Sequence, residues 1–196
     1  MQEIEKKFRI DLNPYTNRGG ETITPAILTK HLTTKNGVRV EMTHITQLYL
    51  PIHTSASDKL EQRLRAEVPD RSGAEATYTQ CVKRTVREGG ILNRFESEKK
   101  IDEEMFNCMA KDAEKRLCKD RLRVDKSITF DFILDDEDEW LCLCEIEFNS
   151  ESVADMFTAA DLQRWLNKGI DEYIKFNVTD VTQDPAYRSW SLAKYI

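Results

Sequence analysis

Apolar and polar residues alternate with a period of two along much of this chain. The alternation covers residues 2–10, 38–50, 59–68, 77–86, 92–101, 119–134 and 140–149, and it predicts a strand over each. Three stretches carry the helical period instead. Residues 102–117 open on Asp102, Glu103 and Glu104 and close near Lys115 and Arg116, the polarity that a helix dipole favours. Residues 152–160 and 160–173 place Val153, Met156 and Phe157, then Leu162, Trp165, Leu166 and Ile170, at helical spacing, with Gly169 interrupting the second. That stripe is expected to pack on the outer faces of the sheet, any exposed part being a candidate homodimer face. Asn13-Pro14 and Arg18-Gly19-Gly20 mark a loop after the first strand, and Glu88-Gly89-Gly90 predicts a hairpin turn. There is no internal repeat and no linker. The pattern implies one antiparallel, mainly β domain of the α+β class, decorated by helices.

What alternates is unusual. Several strands set paired charges at i and i+2, where side chains share a face. Glu3, Glu5 and Lys7 lie together on the first strand. Arg63 and Arg65 share a face, as do Glu96 and Glu98 with Arg94 beside them. Lys119 with Arg121, and Glu145 with Glu147, repeat the arrangement. The opposite faces hold Ile4, Phe8, Leu64, Phe95, Leu122, Ile146 and Phe148. Like charges at this spacing repel, and strands ordinarily hold few Glu and Lys. Carboxylate groups suit divalent cations, which they bind through oxygen. Lys and Arg suit phosphate oxygens, Arg in bidentate fashion. Gathered inside a closed sheet, such pairs make a polar lumen, and a barrel of about eight strands is wide enough for a small ligand.

Composition narrows the classes without changing that picture. The chain has 196 residues, a length suited to one domain. Its 7 Gly and 5 Pro exclude collagen-like and low-complexity architectures, and its 8 Phe, 6 Tyr and 3 Trp can support a core. A net charge of −6 argues against coating DNA. The acidic run Asp135 to Glu139 accounts for most of that charge and reads as a solvated turn, so a concentrated basic site remains compatible. No apolar run is long enough to span a membrane, and Met1 to Lys7 is charged, so a cytoplasmic protein is expected. Cys81, Cys108, Cys118, Cys142 and Cys144 form no CxxC pair and read as free thiols. His31, His44 and His53 are scattered and receive no role.

In order along the chain, these residues resemble one family. Glu3-Ile4-Glu5-Lys6-Lys7 is similar to the ExExK signature of the CYTH superfamily, the triphosphate tunnel metalloenzymes. Gln47-Leu48-Tyr49-Leu50 resembles the QxYL segment, and Arg63-Leu64-Arg65 the RLR strand. Lys83 matches the lysine of the next strand, and Arg94-Phe95-Glu96-Ser97-Glu98 resembles R-x-E-x-E. Lys119-Asp120-Arg121 resembles K-x-R, Asp131 matches the acid that follows it, and Glu145-Ile146-Glu147-Phe148 resembles ExEF. Val181-Thr182-Gln183-Asp184, Tyr187 and Leu192-Ala193 resemble the tail of the bacterial-type inorganic triphosphatases. Two departures stand out. Residues 11–37 are longer than the compact members require, so an added hairpin or loop is expected there. Asp180 stands where the tail usually has Glu.

The resemblance implies a single tunnel domain over 1–196, closed by eight antiparallel strands with helices outside. It implies hydrolysis of a triphosphate, inorganic tripolyphosphate first, with nucleoside, thiamine or RNA triphosphates as variants. Mg²⁺ or Mn²⁺ is the implied cofactor. By position, Lys7, Arg63, Arg65, Lys83, Arg94, Lys119 and Arg121 would hold phosphate oxygens. Glu3, Glu5, Glu145 and Glu147 would hold metal, with Asp131 as a further ligand. Glu96 and Glu98 would balance the arginines. Lys7 and Tyr49 would activate water. Two other functions fit the same residues: a class IV-type adenylate cyclase, and a non-catalytic polyphosphate or nucleotide-binding module. The second has no need of the carboxylates. The implied partner is a small-molecule triphosphate, with no DNA and no membrane.

Overall fold

A computed structural model of the chain describes residues 4–13, 22–35, 37–54, 58–88, 91–134, 139–168 and 175–196. In chain order the elements are β1 (Ile4–Leu12), α1 (Pro25–Lys35), β2 (Glu41–Tyr49), β3 (His53–Thr54), β4 (Asp58–Pro69), β5 (Thr77–Glu88) and β6 (Ile91–Ile101). They continue with α2 (Glu103–Ala110), β7 (Lys115–Arg123), β8 (Ile128–Leu134), β9 (Trp140–Phe148), α3 (Glu151–Met156), α4 (Ala159–Leu166) and β10 (Phe176–Asp180). A 3₁₀ turn at Pro185–Tyr187, α5 (Ser189–Leu192) and β11 (Lys194–Tyr195) complete them. The chain is mainly antiparallel sheet with short helices, the expected α+β class. It divides into two compact units.

The first unit comprises Met1–Thr43 and Lys119–Tyr187. Its strand order is β10-β1-β9-β8-β7. Register sets Glu5 opposite Glu147 and Lys7 opposite Glu145 across β1 and β9. It also sets Arg121 opposite Asp131 across β7 and β8. Opposed residues in an antiparallel pair share a face, so the charged positions of these strands are aligned. The other face is the core: Phe8, Ile10, Leu122, Phe130, Phe132, Cys142, Cys144 and Ile146 meet Leu28, Leu32, Leu162, Leu166 and Phe176. Residues 11–37 hold a helix, α1, where a hairpin or loop was expected. Thr24 accepts a hydrogen bond from the Ile27 amide and Pro25 opens the helix, an N-terminal signal that the loop reading missed. Leu28 and Leu32, one turn apart, are fully buried.

The second unit comprises His44–Cys118 and Arg188–Ile196. Its strands run in the order β2-β4-β5-β6, with β3 on β4 and β11 on the first residues of β7. Arg63, Cys81 and Glu98 share one row of the β4-β5-β6 ladder, and Lys83 and Glu96 share the next. Leu48, Leu50, Leu64 and Phe106 form the buried core, with Tyr78, Ile101 and Met109 against it.

Several expectations are corrected. The described residues hold eleven strands where eight were expected, β3 and β11 being two residues each. Among the described residues neither unit closes into a barrel by itself. The strand expected over 119–134 is two strands, because Asp125 accepts bonds from the Ser127 and Ile128 amides and turns the chain. The helix expected over 102–117 stops at Ala110. Lys115 to Lys119 alternate buried and exposed, so period two prevails there. In the C-terminal stripe, Val153 and Met156 point outward while Ala154 is buried. Ile170, the turn expected at Gly89-Gly90 and that expected over residues 135–138 lie outside the described residues; Glu88 pairs with Ile91 and Leu134 with Trp140.

Candidate functional site

In the first unit, four strands aim five charged side chains at one another. Lys119, on β7, donates its ammonium to Asp131 Oδ2 on β8. Arg121 grips the same carboxylate with two bonds, Nε to Oδ1 at 2.6 Å and Nη2 to Oδ2 at 2.7 Å. Its Nη2 also donates to Glu145 Oε2 on β9 at 3.0 Å. Lys7, on β1, lies 2.9 Å from Glu145 Oε1 and donates to the Tyr187 carbonyl at 3.3 Å. The Thr182 hydroxyl accepts from the Lys7 amide at 3.0 Å, so the tail steadies β1 beside the lysine.

Burial sets the electrostatics of this cluster. The side chains of Lys119 and Asp131 are each 3% exposed. Burial works to raise the Asp131 pKa, but the Lys119 charge and the Arg121 hydrogen bonds overcome it and hold the carboxyl below its ordinary range. Glu145 is likewise lowered: burial and Asp131 oppose ionisation, and Lys119, Lys7 and Arg121 prevail. Burial pushes Lys119 down, with Asp131 and Glu145 pulling the other way.

The hard oxygen donors expected for Mg²⁺ or Mn²⁺ fit this arrangement in part. Asp131 and Glu145 spend their oxygens on Lys119, Arg121 and Lys7, so as arranged they are anchors for cations rather than ligands. Glu5 and Glu147 oppose each other in register, so both carboxylates lie on one face of the β1-β9 pair. Glu3 lies outside the described residues. Among the described residues, no three acidic, His or Cys side chains gather as a metal centre.

In the second unit, the charged face of β4 presents Arg63 and Arg65. The Nε atoms of both are buried and have no hydrogen-bond partner among the described residues. Arg65 lies 3.4 Å from Glu67 and 3.9 Å from Glu98 through Nη1, so its fork is only partly engaged. On β5, Lys83 pairs with Glu96 Oε2 at 2.9 Å, and the Cys81 thiol donates to Glu96 Oε1 at 3.0 Å. Burial and the Glu96 contact push that thiol up to about 11, so it is not a nucleophile at neutral pH. Glu96 thus pairs with Lys83, where the expectation was that it would balance the arginines. Arg94 lies on β6 opposite Thr85, and its side chain is outside the described residues.

Tyr49, at the end of β2, is 7% exposed. Its hydroxyl donates to Gln47 Oε1 at 3.1 Å and also contacts Ser189 and Arg63. Burial raises its pKa, against the pull of the Arg63 charge. The phenol is therefore a proton-bearing group at neutral pH. Gln47 is only 1% exposed, an amide sealed in to orient Tyr49. Sequence reasoning gave no site role to Gln47, Ser189, Trp190 or Lys115. Only the first carried a signal, being two residues from Tyr49 and so on its face.

No protein-family model matches this chain, and no curated protein sequence matches it. Among solved structures, a protein from Pyrococcus horikoshii OT3 is similar over 89% of this chain and 93% of its own, at 12% identity and a TM-score of 0.46. A Hippeastrum protein described as a candidate adenylyl cyclase with a dominant triphosphatase activity is similar over 96% of both chains, at 14% identity and a TM-score of 0.45. A candidate adenylate cyclase from Vibrio parahaemolyticus is similar over 84% of this chain and 83% of its own, at 11% identity and a TM-score of 0.38. All three are remote in sequence, and the functional reading rests on the side chains themselves.

Proposed function

We propose that this chain hydrolyses the terminal phosphoanhydride of a triphosphate, with inorganic tripolyphosphate as the substrate. The observation that carries the reading is the pair of buried, unpartnered guanidinium Nε groups of Arg63 and Arg65. A buried N–H left without an acceptor costs about 1–3 kcal/mol, and more on a charged group. Phosphate oxygens would supply acceptors, and arginine forks match their geometry. In this reading Arg63 and Arg65 hold phosphate oxygens from β4, with Lys83 on the neighbouring strand; the phosphate-binding roles of Arg94, Lys119 and Arg121 belong to the proposal through the sequence resemblance. Tyr49 orients the attacking water through its hydroxyl; a role for Lys7 in activating water belongs to the proposal through the sequence resemblance. A charged tunnel and the triphosphatase activity belong to this proposal through the sequence resemblance. So do Mg²⁺ or Mn²⁺: Glu5 and Glu147, with Glu3, would hold the ion, and bound there it would neutralise phosphate charge.

The test is incubation with tripolyphosphate, and separately with ATP, in Mg²⁺ or Mn²⁺ and in chelator, with the products resolved by chromatography. Orthophosphate plus pyrophosphate from tripolyphosphate, abolished by chelator and accompanied by at least about tenfold weaker tripolyphosphate binding in Arg65→Ala, is the expected result. Cyclic AMP plus pyrophosphate from ATP would replace the reading with a cyclase. Binding without turnover of either compound would replace it with a binding module.

A further inference from the structure

The residues that seat Tyr49 come from the other end of the second unit. We propose that the C-terminal segment 188–196 is a strap that positions Tyr49, with Trp190 and Ser189 as its positioning residues and Lys115 as its clamp. The inference rests on the reading above in that Tyr49 serves the triphosphate site; the seating itself rests on geometry.

The Trp190 ring stands edge-on to the Tyr49 ring, with centroids 5.3 Å apart and planes at 88°. This is the T-shaped arrangement that aromatic quadrupoles favour. Ser189, the neighbouring residue, reaches the phenol. Little apolar surface anchors this segment: Ala193 is buried, but Trp190 is absent from the buried core of the unit and Tyr195 is 77% exposed. Lys115 does the anchoring. It is only 8% exposed, and its Nζ lies 4.6 Å from the Trp190 ring and 4.5 Å from the Tyr195 ring. It also donates to the Trp190 carbonyl at 3.5 Å. A buried ammonium held by two aromatic faces is a cation–π clamp. It closes both sides of the strap at once, because Trp190 precedes β11 and Tyr195 lies within it.

The backbone completes the link. Tyr195 pairs with Lys115, and the Ile196 amide donates to the Glu114 carbonyl at 3.2 Å. The Glu114 amide donates to the carbonyl of Tyr49 itself at 2.9 Å. The strap therefore holds Tyr49 directly by its ring and its hydroxyl, while Glu114, on which the end of the strap is bonded, holds its main chain. Gln47 fixes the remaining direction of the phenol. A hydroxyl that must meet a reacting water within a fraction of an ångström needs this kind of constraint.

Two measurements test the proposal on Trp190→Ala, Trp190→Phe, Lys115→Met and Lys115→Arg: steady-state hydrolysis of tripolyphosphate, and the ring ¹³Cζ resonance of Tyr49, assigned by its loss in Tyr49→Phe. Trp190→Ala and Lys115→Met are expected to lower kcat about tenfold with KM changed by less than about twofold, since positioning rather than binding is lost. Both should move the Tyr49 resonance and bring its titration closer to that of an ordinary tyrosine. Lys115→Arg, which keeps the cation, should restore most of both. If Trp190→Ala does not fold, Trp190→Phe carries the same comparison at a smaller effect. Unchanged kcat and an unchanged resonance in the folded variants would overturn the strap. A wild-type chain that turns over no triphosphate would overturn the enzymatic reading instead, and the resonance alone would then decide the seating.

Discussion

Lys119 shows how a charge is kept inside the first unit. Its ammonium is nearly sealed from water and would be costly there alone. Asp131 compensates it, and the same carboxylate takes both forks of Arg121. Asp131→Asn is therefore expected to destabilise the protein by roughly 3–5 kcal/mol, the cost of stranding one side of a buried pair. Lys119→Met combined with Asp131→Leu should cost less than the sum of the two single changes, because the Lys119 and Asp131 desolvation penalties are removed together while the loss of the Arg121 partner is counted once. Urea midpoints of the two singles and the double decide it. A double variant as damaged as the sum of the singles would show the two residues acting independently. The one-letter pattern placed both residues correctly on strands. It could not say that Asp131 spends its oxygens on two cations, because that depends on the register of β7 against β8.

At the scale of elements, termini and turns decide where the periodic pattern stops. Four residues separate the end of α2 from the start of β7, within a stretch whose charges alone suit a helix terminus. Asp125 divides the long alternating run by its side-chain bonds to the following amides. Helix α4 starts on a reciprocal cap: the Thr158 hydroxyl accepts from the Asp161 amide, and the Asp161 carboxylate accepts from the Thr158 amide. Thr158→Ala should cost about 1 kcal/mol, read as a lower urea midpoint with an unchanged slope, and Thr158→Gly less. An unchanged midpoint in the Ala variant would mean that packing of Leu162 and Leu166 alone holds α4. The same logic explains α1. Its Thr24-Pro25 start was readable in the sequence, but the loop signals at Asn13-Pro14 and Gly19-Gly20 obscured it.

For the whole molecule, the shifted groups predict stability against pH at both ends. Asp131 and Glu145 have folded-state pKa values below their unfolded ones. Their stabilisation is complete above the ordinary carboxylate range, about pH 4, and is lost as pH falls through the lower folded values. Tyr49 and Cys81 are shifted upward, so what they contribute is present below their unfolded values and is lost as pH rises through the folded ones. The expected profile is a urea midpoint that is flat near neutrality, falls below about pH 4 and falls again above about pH 10. In Asp131→Asn the acid limb should flatten. An acid limb identical to wild type would separate acid unfolding from this cluster.

Sequence alone determined the class, most of the strands and the charged faces, because a period of two decides which side of a strand each residue occupies. It also singled out Lys7, Tyr49, Arg63, Arg65, Lys83, Lys119, Arg121, Asp131, Glu145 and Glu96 as chemistry-bearing. Tertiary structure alone decided who meets whom. Register turned Asp131 into a brace for Lys119 and Arg121, and left the Nε groups of Arg63 and Arg65 buried without partners among the described residues. Residues more than 130 positions apart met when Ser189 and Trp190 came to Tyr49. Local pattern encodes direction, whereas partnership depends on distances that arise only once the strands have paired.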